Sequence, residues 1–402
     1  MTDRYLLVGL ARAREPWFTL VSQWASSAIL GAEFVKCLSA SELAARLDNS
    51  PLISAVLLDA AAAGVDRDLI ALAAARGSVV AIIDDPRVGR DWTALGAHVV
   101  LPREFDPQQL MSRLVDAGAV ATTAHVGPVA GLGPTPVDPP IAFDATVIGV
   151  CGVAGSGVST LAAALAQGFG ERPDGHGSVL LADLALRSDQ AAYHDVGDVI
   201  PGVQELVEAH RTGRPSRSSL RSSTFDISPR GYDLLLGLRR PRDWVTLATR
   251  ASDAMLQTLG SSYRYLVADL TAEFDGETET GSLDIEERNH LARNVAVHAD
   301  VVLAVATPDL RGVRGLVRLV DELLALGVAP DRILPVANRA PRSRRLRAEL
   351  TRTVADLLDS RVTAPTLLIG DRRNMESLHR SVDPFPDSVV SPLANATLAV
   401  AS

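Results

Sequence analysis

Lysine is almost absent from this sequence. Of the 39 lysine and arginine residues in a chain of 402, only Lys36 is a lysine. Any chemistry that needs an ammonium group must therefore use Lys36 or do without one. The 48 acidic residues outnumber the basic ones and give a net charge of −9, which argues against a protein that coats nucleic acid over its whole surface.

Cysteines, aromatic residues and long apolar runs are also scarce. The two cysteines, Cys37 and Cys151, cannot form a disulfide framework and fit a reducing cytoplasm. No stretch approaches the roughly 18 apolar residues that span a membrane, and the N-terminus lacks the apolar region of a signal peptide. Aromatics make up 4% of the chain, so its core must be built from Ala, Leu and Val. We therefore expect a soluble cytoplasmic protein.

What is present is ordinary globular composition, with 47% hydrophobic and 22% charged residues in a length sufficient for two or three domains. Residues 1–118 alternate short apolar runs with helical patterns. The predicted strands are Tyr5–Leu10, Phe34–Leu38, Ala55–Asp59, Val79–Asp84 and His98–Leu101. The predicted helices include Trp17–Ile29 and Ser41–Leu47, with Ser41 as a possible cap. This alternation predicts the α/β class, with a doubly wound parallel sheet.

The order of these elements resembles the receiver domain of response regulators. Asp59 stands at the phosphate-accepting position, but the acidic pair that would hold Mg²⁺ is absent, because Gly9-Leu-Ala-Arg12 occupies its place. The lysine position before Pro102 holds Leu101. We therefore interpret the domain as a degenerate receiver used for docking or dimerisation. A phosphorylated response regulator is the alternative.

Residues 119–143 are rich in Pro, Gly and Ala without any period, which predicts a linker. A second α/β domain is predicted over residues 144–402. Its expected strands are Thr146–Cys151, Ser178–Asp183, Tyr232–Leu238, Tyr265–Leu270, Val301–Thr307, Ile333–Asn338 and Thr366–Ile369. Helical patterns between them include Leu161–Phe169, Asp243–Leu259, Gly312–Leu326 and Ser343–Leu358.

The first strand of this domain runs into a glycine-rich loop and then an Ala-rich helix. This is the setting in which a phosphate-binding P-loop is credible, because glycines present backbone N–H groups and the helix adds the positive end of its dipole. The predicted nucleotide-binding residues are Gly152, Gly155, Ser156, Gly157, Val158, Ser159, Thr160 and Asn338. Ser159 occupies the Mg²⁺-ligand position, while the lysine that normally precedes it is Val158.

Further strand ends complete a pattern that resembles the ParA/MinD superfamily of P-loop ATPases. Asp183 matches the first acid of the second-strand signature, and Asp269 matches the acid that helps to hold Mg²⁺. Asn338 matches the position that reads the adenine edge. The resemblance also marks two departures: the second acid is Ala185, and the signature lysine at the start of the loop is Val153.

The arrangement of a receiver-like domain before a ParA-like domain is most similar to the CpaE/TadZ branch, and also to actinobacterial septum-site-determining proteins. The resemblance implies a spatial regulator that dimerises and recruits a Tad-type pilus or secretion machinery, or the division machinery. ATP and Mg²⁺ are the implied ligands. With Val158 and Ala185 in place of the lysine and the acid, we expect weak or no hydrolysis. The alternative is an active ATPase that uses arginine, for which Arg187, Arg239, Arg240 and Arg242 are candidates.

Two surface features bear on partners. A basic cluster consists of Arg339, Arg342, Arg344, Arg345 and Arg347. It is consistent with weak non-specific DNA binding, or with a solvated helix face that pairs with Glu349 and Asp356. The tail after Ser381 has no basic residue, so it lacks a basic amphipathic membrane helix, and any membrane association would go through a partner.

Overall fold

The computed structural model describes residues 5–50, 52–119, 143–197, 199–372 and 374–401. Its contacts divide the chain into two compact units, residues 1–140 with 209–214 and residues 141–208 with 215–402. The predicted linker lies outside the described residues except for Ala119 and Phe143. No helix in the described ranges is both long enough and apolar enough to cross a bilayer.

The first unit is built on a parallel five-stranded sheet of order β2-β1-β3-β4-β5, which is the flavodoxin-like order. Its strands are β1 Tyr5–Leu10, β2 Ala32–Cys37, β3 Ala55–Asp59, β4 Val79–Ile83 and β5 Val99–Leu101. Its helices are α1 Pro16–Ser26, α2 Ala40–Asn49, α3 Arg67–Ala75 and α4 Pro107–Asp116. Separate apolar clusters cover the two faces of the sheet, as expected for a parallel sheet with helices on both sides.

Helix α2 begins one residue earlier than predicted, and the expected cap was wrong. The hydroxyl of Ser39, not that of Ser41, accepts a hydrogen bond from the Glu42 N–H at 3.1 Å. Ser39 has the extended backbone that an N-cap requires, whereas Ser41 lies inside the first turn. The carboxylate of Glu42 in turn accepts from the Leu38 N–H, so the start of the helix is closed from both sides.

The second unit is built on an eight-stranded sheet of order β13-β12-β11-β6-β10-β7-β9-β8, in which only the edge pair β8 and β9 is antiparallel. Its strands are β6 Thr146–Gly152, β7 Val179–Asp183, β8 Phe225–Ile227, β9 Tyr232–Leu235, β10 Tyr265–Asp269, β11 Val301–Ala306, β12 Ile333–Ala340 and β13 Leu367–Gly370. The predicted α/β class with two doubly wound parallel sheets is thus confirmed.

Helices cover both faces of this larger sheet. They are α5 Val158–Gly170, α6 Gln190–Tyr193, α7 Val203–Thr212, α8 Arg217–Arg221, α9 Thr249–Ser262, α10 Glu277–Thr280, α11 Leu283–His298, α12 Leu310–Leu326, α13 Arg344–Leu358, α14 Met375–Ser381 and α15 Asp387–Ala401. Three 3₁₀ turns lie at Ser228–Arg230, Pro241–Thr246 and Pro330–Arg332. The sequence patterns did not predict the edge strand β8 or the helices α7 and α15.

Helix α5 is the most enclosed element of the second unit. Every residue from Leu161 to Gly170 is buried, because sheet and helices surround it. Helix α15 packs along it at Gly168, where an added Cβ would lie 3.0 Å from both Ala394 Cβ and Val390 Cγ1. The Gln167 side chain fixes the segment before α15 by accepting from the Phe385 N–H at 2.7 Å and donating to the Phe385 carbonyl at 3.1 Å.

Truncating Leu393 on α15 tests this packing. Because Leu393 is fully buried, Leu393→Ala is expected to lower the free energy of unfolding of the second unit by about 2–5 kcal/mol. Urea unfolding followed by circular dichroism measures the loss. Leu346→Ala is the matched control, since Leu346 also lies in a helix but is 50% exposed, and should change stability by no more than about 0.5 kcal/mol. Equal effects of the two changes would contradict the packing described for α15.

Candidate nucleotide-binding site

The glycine-rich loop connects β6 to α5 at the carboxyl edge of the second sheet. Gly155 and Gly157 have φ values of +79° and +89°, a left-handed conformation that favours glycine. At Gly152 a Cβ atom would lie 2.3 Å from the Val305 carbonyl oxygen, so only glycine fits beside β11. The loop therefore has the local geometry that its sequence predicted, with the N–H groups of the α5 N-terminus next to it.

Neighbouring strands hold the loop in place. The Val153 N–H donates to the Val305 carbonyl at 2.9 Å, and the buried Ser156 hydroxyl donates to the same oxygen at 3.2 Å. From β12, the Asn338 side-chain amide donates to the Ser156 carbonyl at 2.7 Å, and its oxygen accepts from the Arg339 N–H at 2.9 Å. An amide has two N–H donors and two lone pairs, so Asn338 keeps one of each for another partner.

Both positions that would carry lysine are engaged in apolar contacts. Val158 packs against the apolar cluster on one face of the sheet, and its Cγ2 lies 2.8 Å from where a Cβ on Gly152 would be. Val153 packs against the cluster on the opposite face and fills the space beside Gly315 of α12. The loop conformation is thus maintained by glycines, valines and strand contacts without a cation.

Two aspartates lie side by side at the ends of neighbouring strands. Asp183 on β7 and Asp269 on β10 are register partners and are 1% and 2% exposed. Burial raises the pKa of Asp269 to about 6, although hydrogen bonds from Ser159 and Gln190 act in the opposite direction. Burial, with the nearby charge of Asp269, raises the pKa of Asp183 well above its ordinary range.

Gln190 connects these aspartates to the helix after the loop. Its side-chain amide donates to Asp269 Oδ2 at 2.7 Å and to the Ser159 carbonyl at 3.0 Å, while its backbone N–H donates to Asp183 Oδ2 at 3.0 Å. Gln190 is fully buried, and its side-chain oxygen has no hydrogen-bond partner among the described residues. Asp183 has a further backbone contact with the Ala185 N–H at 3.4 Å.

The chemistry of this donor set fits Mg²⁺. The Ser159 hydroxyl and the carboxylates of Asp183 and Asp269 are hard oxygen ligands, and the buried oxygen of Gln190 is an acceptor without a donor. No arginine forms an ion pair with either aspartate in the described ranges. No group of three or more His, Cys, Asp or Glu in those ranges is placed to hold a metal alone. These residues would therefore hold Mg²⁺ together with phosphate oxygens.

A second network supports the opposite side of the loop helix. The Thr160 hydroxyl lies 3.0 Å from His379 Nε2, and His379 belongs to α14. The fully buried Arg230 donates to the carbonyl of Leu378, in the middle of α14, at 2.8 Å and to that of Asp383, just after the helix, at 3.1 Å. Its guanidinium also lies over the Phe385 ring, 4.1 Å from the centroid. The position of Thr160 thus depends on a buried arginine far away in sequence.

An open groove lies beside the loop at this point. Its lining residues include Gly157, Thr160, Asn338, Arg339 and Arg372. Arg372 is exposed and donates to the Ser388 hydroxyl, while Arg339 is exposed and has a left-handed backbone, φ +59°. The groove is therefore a place where a base or ribose could lie while its phosphates contact the loop.

The arginines that were predicted as lysine substitutes do not line this groove. Arg187, Arg240 and Arg242 are exposed, and Arg239 is paired with Glu205. Of the basic cluster, Arg347 donates to the Leu368 carbonyl at 3.0 Å. The other four, Arg339, Arg342, Arg344 and Arg345, are exposed, and none forms an ion pair with Glu349 or Asp356 in the described structure.

In the first unit, Asp59 is enclosed. It is 1% exposed, its Oδ2 accepts from the Trp17 indole N–H at 2.8 Å, and its Oδ1 accepts from the Ala61 N–H at 2.8 Å. Both oxygens that could attack a phosphoryl group already accept hydrogen bonds. Asp59 thus ends β3 with both carboxylate oxygens engaged by N–H groups of its own unit.

Sequence reasoning missed Gln190, His379, Arg230 and Arg372. Gln190 follows the second-strand signature by only a few residues, so a search for polar residues after each predicted strand would have found it. The other three come from segments whose contacts with the loop no local pattern predicts.

The loop and strand order together define an α/β unit with a mainly parallel sheet and a glycine-rich loop between a strand and a helix. No protein-family model matches the sequence, and no curated protein matches it. Among solved structures, the chain is similar to a ParA family ATPase from Chlorobium tepidum TLS, at 20% identity, 64% coverage of this chain, 98% of that chain and a TM-score of 0.47. It is also similar to the cell division ATPase MinD of Pyrococcus furiosus, at 15% identity, 63% coverage of this chain, 98% of that chain and a TM-score of 0.46. A third similar structure is a putative plasmid partition protein from Borrelia burgdorferi B31 bound to AMPPNP, at 16% identity, 64% coverage of this chain, 98% of that chain and a TM-score of 0.45.

Acid should destabilise the network behind the loop. Burial, with the charge of Arg230, lowers the pKa of His194 and of His379 to about 4, against about 6.5 when unfolded. The unfolded chain therefore binds more protons between these values, so stability that is full above pH 6.5 is lost as the pH falls toward 4. Urea midpoints of the second unit at several pH values measure this loss.

The double variant His194→Gln with His379→Gln should lose less stability on acidification than the natural chain. The comparison isolates the histidines, because the raised pKa of Asp269 is present in both proteins and acts with the opposite sign. His176→Gln is the control, since His176 is exposed and should leave the pH dependence unchanged. An undiminished acid loss in the double variant would show that these histidines do not cause it.

Proposed function

We propose that this chain is a CpaE/TadZ-like spatial regulator or localisation factor, acting by nucleotide binding and dimerisation with weak or no ATP hydrolysis. The observation that supports it most is the loop itself. Gly155 and Gly157 have the left-handed backbone that a glycine-rich turn needs, while Val153 and Val158, at the positions that the resemblance assigns to lysine, make apolar contacts. A site built this way suits binding and not phosphoryl transfer.

Binding would use the backbone before the side chains. The N–H groups at the start of α5 would contact phosphate oxygens, with Ser159, Asp183 and Asp269 holding Mg²⁺ beside them. Asn338 has one free donor and one free lone pair for an adenine edge, in a groove that Gly157 and Thr160 also line. ATP with Mg²⁺ is therefore the proposed ligand.

Hydrolysis would lack two groups. No lysine neutralises the transferred phosphoryl group. Loss of one oxyanion-hole donor in other enzymes lowers the rate by about 10²–10³, and we expect the missing lysine to cost a similar factor. Ala185 stands where an acid would position the attacking water, and its N–H contacts Asp183 instead. ATP would then act as a structural or switching ligand.

The proposed partners are a second copy of the chain and proteins of a Tad-type pilus or secretion apparatus or of the septum. The protein would work in the cytoplasm and reach a pole or septum through those partners. The C-terminal helix α15 supports indirect recruitment, because its apolar side packs on α5 and it carries no basic residue.

Substituting Gly157 tests nucleotide binding. Gly157→Val forces a β-branched residue into a left-handed conformation and against the Asn338 amide, 2.6 Å from the added Cβ, so ATP–Mg²⁺ titration by calorimetry should show binding lost. Gly177→Val is the matched control, because Gly177 also has a positive φ, +65°, but lies in open space before β7. Absence of ATP binding by the natural chain would refute the nucleotide part of the proposal.

Turnover distinguishes the second candidate function, an active ParA/MinD-type ATPase that controls cell division or partitioning. It is favoured by Arg339 and Arg372, which line the groove beside Gly157 and Thr160. Phosphate release at rates typical of ParA ATPases, reduced by Arg372→Gln, would establish that function instead. Sedimentation of the same samples with and without ATP reports the proposed homodimer.

Weak non-specific DNA binding through the basic cluster is a further proposal. It rests on four exposed arginines that form no ion pair within the described residues. A gel shift on plasmid DNA should weaken steeply as salt rises, and Arg344→Gln with Arg345→Gln should weaken it further. A shift that ignores salt, or no shift at all, would exclude phosphate contacts by this cluster.

A further inference from the structure

Three carboxylates meet at the carboxyl edge of the first sheet. We call Glu15, Asp59 and Asp85 the acid cluster; they follow β1, end β3 and follow β4, respectively. Their side chains are 16%, 1% and 4% exposed. Carboxylates this buried and this close repel one another unless a positive charge lies among them.

Arg103, two residues after β5, supplies that charge. Its Nη2 atom donates to Glu15 Oε2 at 3.1 Å and lies 3.6 Å from Asp85 Oδ2 and 3.9 Å from Asp59 Oδ2. One guanidinium nitrogen is therefore within 4 Å of carboxylates from three different loops. The sequence has Leu101 before Pro102 and Gly9-Leu-Ala-Arg12 at the end of β1, whereas in the structure Arg103 and Glu15 meet at this edge of the sheet.

A receiver-like fold implies Mg²⁺ at this edge, and the residues present do not fit it. A divalent cation would need the oxygen lone pairs that face the common centre. The Arg103 nitrogen already lies at that centre, while Trp17 and Ala61 donate to the two oxygens of Asp59. The protein's own N–H donors thus satisfy the charges that a metal would satisfy.

The outer side of the cluster has a separate partner. Arg87 donates to both oxygens of Asp85, at 2.9 Å from Nε to Oδ1 and 2.6 Å from Nη2 to Oδ2. Its side chain is 77% exposed, against 35% for Arg103. Arg87 therefore contacts one carboxylate from solvent, whereas Arg103 bridges all three.

We propose that Arg103 is a built-in cation that replaces Mg²⁺ in the first unit, and that removing its charge turns the acid cluster into a divalent-cation site. With Arg103 in place, the cluster needs neither a metal ion nor a phosphoryl group at its centre. This inference does not depend on the proposed nucleotide function, because every residue in it belongs to the first unit.

Arg103→Gln in the full chain tests the proposal. In EDTA the variant should lower the Tm of the first unit by roughly 5 °C or more, and millimolar Mn²⁺ or Mg²⁺ should restore most of it. Mn²⁺ counted by electron paramagnetic resonance should rise by one equivalent over the natural chain. Tryptophan emission reports the site directly, since three of the four tryptophans lie in this unit and Trp17 contacts Asp59.

Two further variants make the outcome specific. Arg87→Gln, the control, removes a charge from the same cluster but should lower Tm less and gain no Mn²⁺. Arg103→Gln with Glu15→Gln restores the net charge of the cluster and keeps both acceptor oxygens of Asp59, so it should recover Tm in EDTA and bind no additional Mn²⁺.

The proposal is overturned if the natural chain shows the same Mn²⁺ response in tryptophan emission as Arg103→Gln. It is also overturned if Arg103→Gln neither loses Tm nor gains Mn²⁺. Should Arg103→Gln fail to fold in any buffer, the double variant decides: recovery supports the built-in cation, and continued failure to fold contradicts it.

Discussion

Buried carboxylates at the carboxyl edge of a parallel sheet must be compensated, and this requirement shapes both units. In the first unit the guanidinium of Arg103 lies among the three carboxylates of the acid cluster, and that of Arg87 pairs with Asp85. In the second, Asp183 and Asp269 have amide and hydroxyl donors but no arginine ion pair within the described residues. Neutral donors do not cancel the negative charge of these carboxylates, and burial makes the charged forms unfavourable. The pKa values of both aspartates are raised for this reason. Within the described residues, guanidinium groups thus lie beside the carboxylates at one sheet edge, whereas neutral donors contact the two aspartates at the other.

The glycine-rich loop in the second unit is held in its conformation without a lysine. Glycines at positive φ, the Ser156 contact with β11 and the Asn338 contact with the loop carbonyl determine its geometry. The lysine of ordinary P-loops adds charge to this geometry, and here Val153 and Val158 add apolar packing instead.

Local patterns predicted most strands, since the buried strands are apolar runs that end near a polar or small residue. Strand β3 is an example of such a run. The loop at Gly152–Gly157 was predicted in the same way, from the glycines that follow an apolar run and precede a helix. Local patterns failed where a contact joins distant segments: no period in the sequence brings His379 to Thr160, or Arg103 to Glu15. They also failed for α15, because its internal Pro392 and its single charged residue, Asp387, are not typical of a surface helix. Its packing against α5 is visible only in the structure. The candidate site was thus predicted as a backbone, while its supporting side chains required the structure.

The enclosure of α5 limits where a ligand can produce movement. A helix that is buried from Leu161 to Gly170 and tied through Gln167 to the chain before α15 cannot shift alone without opening the core. Helix α5 is therefore expected to keep its position when a ligand binds. A signal that starts at the loop must then travel through the parts that rest on the sheet edge, namely the segment carrying Gln190 and the short helix carrying His379. A conformational switch in this unit would therefore move the segments that carry Gln190 and His379, while α5 stays in place.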